Sequence, residues 1–201
     1  MVRSALILLV GLCFLSPVQS FPDGVDDKGD RGCLCHGGAD ETTEIIVSGL
    51  PEIYNSSVTY NFTITINSPI IESSSQEQAK GGFRVIISKG EIVADEWQYL
   101  EGGYTHNETI NKQRTWNASW IAPENDAELA TFMVHGNAVN GNGESTGDEW
   151  NSLALAIPGV NYTGEIITPD LGDDHNRNRF LVISSISIAS LIAIIYYVAK
   201  D

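Results

Sequence analysis

Val58-Thr59-Tyr60-Asn61-Phe62-Thr63-Ile64-Thr65-Ile66-Asn67 is the stretch whose reading decides the fold. Val58, Tyr60, Phe62, Ile64 and Ile66 alternate with Thr59, Asn61, Thr63, Thr65 and Asn67. Successive side chains leave a strand on opposite sides, so period two over this length predicts a strand with one face in a core and the other in water.

The same pattern recurs on both sides of this stretch. Phe83, Val85 and Ile87 share a face within 83–88; Trp116, Ala118 and Trp120 do so within 115–122, opposite Thr115, Asn117 and Ser119. Leu129–Ala138 and Leu153–Ile157 predict further strands, and 44–47 and 164–168 carry weaker versions of the signal. Turn-forming clusters separate them: Asn55-Ser56-Ser57, Ser73-Ser74-Ser75, Lys89-Gly90, Glu101-Gly102-Gly103, Pro123 to Asp126, and Asn140 to Gly147. No stretch between 44 and 158 sustains a helical period. The expectation is all-β: an antiparallel β-sandwich over 44–158.

The two ends are of another kind. Met1-Val2-Arg3, the apolar run Ala5–Leu15 and Val18-Gln19-Ser20 predict a cleaved signal peptide over 1–20, which would take Cys13 with it. Residues 21–43 form a Gly- and Asp-rich segment containing two cysteines, and 159–178, with Pro169, Gly172 and several acids, predict a stalk. Residues 179–199 include a charge-free run from Phe180 to Ala199, long enough to span a bilayer as a helix. The alternative for this tail is a processed anchor signal. With the signal peptide setting the orientation, the expected place is the cell membrane, single-pass, with the ectodomain outside. Arg177 and Arg179 then lie on the outer side, against the positive-inside tendency.

A net charge of −15, from 26 acidic against 11 basic residues, excludes nucleic acid as a partner, because phosphate neutralisation needs clustered Lys and Arg. Asn-x-Ser/Thr sequons stand at Asn55, Asn61, Asn107, Asn117 and Asn161, with Asn61 and Asn117 on the polar faces of their strands.

Chemistry is densest at Gly32-Cys33-Leu34-Cys35-His36-Gly37. Three readings stay open. Cys33 and Cys35 can form a disulfide or remain free thiols outside the cell. They can attach haem c with His36 as axial ligand, although covalent attachment ordinarily uses two residues between the thiols and Leu34 alone stands here. They can hold copper or zinc with distant donors at His106 or His135. Met133 and His135 share a strand face with Leu129 and Thr131; His175 lies in the acidic stalk and is not expected to be a ligand. Asn140, Asn142, Glu144 and Asp148 place oxygens at even spacing, but Ser145 occupies the position where an EF-hand needs glycine, so a hairpin loop is expected. With no nucleophile elbow, acid pair or phosphate loop, no enzyme is expected.

Taken together, Gly32 to Gly37, Gly81-Gly82-Phe83-Arg84-Val85, Thr105-His106-Asn107, Arg114-Thr115-Trp116, Trp120 to Pro123, Ala130-Thr131-Phe132 and Gly136 to Gly141 resemble the choice-of-anchor V domain of bacterial and archaeal surface proteins, related to the Reeler domain. The resemblance covers roughly 30–157. It implies a Reeler-like β-sandwich held at the cell surface, here by a membrane helix, with no known enzyme activity. Relatives carry Cys-x-x-Cys-His where this chain has Cys33 to His36. The resulting expectation is a membrane-anchored binding or adhesion module whose ligand is a surface protein or glycan; the alternative is a haem- or copper-carrying redox module.

Overall fold

The computed structural model describes residues 21–171 and Ile188, and 21–171 lie within one compact unit. The signal peptide, the end of the stalk and the spanning segment predicted above fall outside the described residues. Among the described residues, no helix is long and apolar enough to cross a membrane.

Nine strands follow in order: β1 (Glu44–Ser48), β2 (Thr59–Asn67), β3 (Gly81–Ile87), β4 (Glu91–Val93), β5 (Gln98–Leu100), β6 (Gly103–Thr105), β7 (Thr115–Ile121), β8 (Leu129–Ala138) and β9 (Glu149–Pro158). They form two antiparallel sheets, one in the order β1-β2-β7-β4, the other β5-β6-β3-β8-β9. The all-β expectation holds. Its errors lie at the short elements. Strands β4, β5 and β6 are three residues each, too short to show a period, and 164–168 has no partner strand and is irregular. The last strand extends well beyond 153–157, because all ten of its residues pair with β8.

Alternation chooses the core. Phe62, Ile64 and Ile66 of β2 are buried, as are Trp116, Ala118 and Trp120 of β7. They face Phe83 and Val85 of β3 and Ala130, Phe132 and Val134 of β8 across the sandwich. The Trp120 ring meets Phe132 edge-on at 5.2 Å and Tyr54 at 5.5 Å, while its indole N–H donates to the Lys89 carbonyl. Edge-to-face pairs of this kind add to simple area burial. Val58, the first residue of the diagnostic stretch, is 40% exposed, since it precedes the paired part of β2.

The sandwich has two distinct ends. At one, which we call the base, the start of β2, the ends of β7 and β9 and the start of β8 come together. Tyr54 closes it: the ring is fully buried, the hydroxyl donates to the carbonyls of Asn125 and Glu128 at 2.8 and 3.0 Å, and the backbone bridges Gly159. Residues 159–162 therefore belong to the folded body, not to a stalk. At the opposite end are the loops 68–80, 106–114 and 139–148. Buried Arg114 ties that end together by donating to the carbonyls of Ile70, Lys80 and Val139.

Candidate functional site: a cavity under the N-terminal segment

The outward faces of β3, β8 and β9 carry Gly82 and Arg84, His135 and Asn137, and Trp150 and Ser152, with Arg84 opposite His135 and His135 opposite Ser152 in the pairing. In a solvated sheet these would meet water. Here residues 21–38 lie across them, folded into two 3-10 turns, Asp27–Arg31 and Leu34–His36.

Arg84 is the main tether. Its side chain is wholly buried, and its guanidinium donates to Asp30 Oδ1 (2.8 Å) and to the carbonyls of Val25 (3.1 Å), Leu100 (2.7 Å), Glu101 (3.1 Å) and Gly103 (3.4 Å). A buried cation is tolerable only when paired and fully hydrogen-bonded, and this one is both. Val25 N–H donates to Thr105 Oγ1, and the Trp150 indole to the Gly37 carbonyl. Gly32 crosses the Trp150 ring so closely that a Cβ would sit 2.2 Å from it, at φ +100°, a conformation that favours glycine.

Under this segment lies a cavity of about 440 Å³ at the end remote from the base. Phe21, Pro22, Val25, Leu34, Phe83 and Val139 supply apolar wall; Cys33, Cys35, His36 and His106 also border it. Gly82 gives it depth, since a Cβ there would strike the His106 ring at 2.6 Å.

The ligand candidates named from the sequence are thus partly brought together. His36 Nδ1 is 2.9 Å from Asp148 Oδ2, a carboxylate almost wholly buried, whose Oδ1 accepts from the Asn140 N–H. Asp148 thereby orients the imidazole, leaving Nε2 as the nitrogen not used by the carboxylate. No spacing rule links residues 36 and 148. The rest of the loop holds itself by Asx turns, Asn140 Oδ1 accepting from Asn142 N–H and Asn142 Oδ1 from Glu144 N–H, in keeping with a hairpin.

Among the described residues, Cys33 and Cys35 are free and form no disulfide. Cys33 immediately precedes the Leu34–His36 turn, and Cys35 lies inside it. In a three-residue turn, positions two apart point about 120° from each other. Burial, and secondarily the Cys35 thiol, pushes the Cys33 thiol up to about 12, so it is protonated at neutral pH.

His106 borders the cavity, but Nδ1 accepts from the Phe83 N–H at 3.0 Å and the ring also meets the Phe21 backbone. His135 is outside the cavity lining, with Nδ1 2.6 Å from Ser152 Oγ and the ring beside Asp30. No three of Cys33, Cys35, His36, His106 and His135 bring ligand atoms within 4.8 Å of one another; among the described residues the group that does is Asp26, Asp27 and Glu101, where Lys28 already pairs with Asp26. Of the sequons, Asn55, Asn61, Asn117 and Asn161 are exposed, whereas Asn107 is half-buried and its amide donates to the Glu96 carbonyl.

Burial holds both His106 and His135 below the ordinary histidine range. In the unfolded chain they titrate near 6.5. Above that pH both states are neutral and stability is unaffected; below it the unfolded chain takes up protons that the folded chain resists, so stability falls as pH drops toward the folded values. Unfolding free energies from urea titrations are expected to hold from pH 7.5 to about 6.5 and to decline below it, by up to about 1.4 kcal/mol per pH unit for each histidine. His135→Gln should flatten the decline.

No family model matches the chain, and no curated protein matches it. Among solved structures it is similar to the human F-spondin reeler domain, with 15% identity over 62% of this chain and 96% of that one and a TM-score of 0.40. It is also similar to a conjugative transposon lipoprotein from Bacteroides eggerthii, with 12% identity over 59% and 98% and a TM-score of 0.38. The fimbrial subunit AggA from Escherichia coli has 10% identity over 61% and 96% and a TM-score of 0.36. At such scores no chemistry or partner transfers from them.

Proposed function

We propose that this chain is a membrane-anchored, extracytoplasmic β-sandwich that binds a small, largely apolar ligand in the cavity beneath residues 21–38, without catalysis. The observation that carries this reading is the cavity itself. About 440 Å³ is within the range of small-molecule sites, and its wall is mainly apolar with a few fixed polar groups. The signal peptide and anchor remain the sequence reading of 1–20 and 179–199, and glycan occupancy at the four exposed sequons belongs to the same proposal.

The test uses the full chain and the neutral fluorescent probe N-phenyl-1-naphthylamine. Binding with enhanced emission is expected, weakened about tenfold by Ala79→Trp, which places a large ring in the cavity wall; tenfold corresponds to about 1.4 kcal/mol. No binding to the wild-type chain would end the cavity reading.

One observation favours a second reading, a redox module. His36 is held by Asp148 as a metal-bound imidazole is commonly held, beside two free thiols. The donor types suit such a group, although their ligand atoms are not gathered in this structure: His36 Nε2 would hold iron or copper, and Cys33 and Cys35 would supply haem attachment or soft ligation. Such a group would supply one-electron transfer. Isolation from a host with haem-maturation genes discriminates: a Soret band that survives denaturation supports this reading, and a colourless, metal-free protein removes it.

A further inference from the structure

The base carries apolar side chains that the fold leaves in water. Ile53 is 55% exposed and Val160 54%, and Val58 stands at the same end. They come from two segments, the β1–β2 connection and the stretch after β9, brought together by the Tyr54–Gly159 bridge and by the Val160 N–H donating to the Tyr54 carbonyl. The chain then continues through exposed Ile166 and Ile167. Singly, exposed apolar residues mean little; gathered on one end they mark a contact surface.

The chain's own length says what covers them. Residues 163–179 are all that separate the base from the apolar run beginning at Phe180. Fully extended they reach at most about 60 Å, and a coil of that length spans about 23 Å. The ten-residue β8–β9 ladder is itself about 33 Å long. If 180–199 is in a bilayer, the base is the end of the sandwich from which the chain runs on to it.

We infer that the base is a membrane-contact surface: Ile53, Val58 and Val160, with Ile166 and Ile167, enter the headgroup region of the bilayer in which the chain is anchored. This rests on the membrane-anchoring part of the proposed function. Exposed Glu52, Glu124 and Glu165 fringe the patch and suit it to neutral lipid rather than anionic lipid.

The test places nitroxide labels in the full chain, in a Cys13→Ser, Cys33→Ser, Cys35→Ser background, reconstituted in phosphatidylcholine vesicles. Labels go at Ile53→Cys and Val160→Cys, and at Ser74→Cys in a loop of the opposite end. Oxygen accessibility with loss of relaxation by a water-soluble nickel chelate is expected at 53 and 160, with full nickel relaxation at 74. Equal nickel relaxation at all three positions in vesicle-bound protein would overturn the inference while leaving anchoring intact. Concentration-dependent spin–spin broadening at 53 and 160 would overturn it in favour of a second copy covering the base. Failure of the wild-type chain to float with vesicles would instead remove the anchoring reading on which it rests.

Discussion

Arg84→Met is expected to lower stability by about 3–5 kcal/mol and to unseat residues 21–38 from the sheet. The methionine roughly fills the stem but offers no donors. Asp30 and the carbonyls of Val25, Leu100, Glu101 and Gly103 would each lose a partner, the Gly103 bond in a buried site and the others in partly buried ones. Arg84→Lys should recover only part of the loss, because a single ammonium cannot span acceptors fixed around a planar fork. Urea midpoints measure the energy, and limited proteolysis measures the detachment: new cleavage within 21–43 with 44–158 intact is the expected pattern. A midpoint unchanged to within about 0.5 kcal/mol would show that the segment is held by something other than this guanidinium.

Trp120→Ala should cost as much, about 3–5 kcal/mol, by a different route. Trp120 is fully buried between the sheets and touches Tyr54, Tyr60 and Phe132. Truncation leaves a cavity that three rigid rings cannot collapse to fill, and the Lys89 carbonyl loses its donor. Tyr99→Ala, at a ring 64% exposed on the edge strand β5, serves as the control and should stay within about 0.5 kcal/mol. Equal effects at the two positions would contradict the core assignment.

The sandwich was legible where a strand is long and faces water on one side. In β2 and β7 the alternation of Phe62-Ile64-Ile66 and Trp116-Ala118-Trp120 identified the inward face because only one phase of the pattern is apolar; in β8, with Leu129 and Met133 on the opposite phase, it did not. Strands β4 to β6 escaped because three residues carry no period. The candidate site was half legible. Cys33, Cys35 and His36 stood out by residue type, but the partner of His36, Asp148, is 112 residues away, a separation that no local pattern encodes. Two signals went unread. Gly81-Gly82 inside a strand marks close approach of another group, here the His106 ring. Arg84, a charge midway along a strand otherwise apolar on its inner face, faced not water but the covering segment.

That covering segment also sets an order of events. Its fastenings reach forward 80 residues to Thr105, 112 to Asp148 and 113 to Trp150. Contacts so distant along the chain form late, after the sheets that present them exist. Residues 21–38 come first in the chain, yet they can seat only once β9, the last strand, has joined β8. Between those moments the cavity floor is built and its roof is open. A bulky guest meets the site during biogenesis as an open groove and afterwards as a partly covered pocket, at whose rim Cys35 stays exposed.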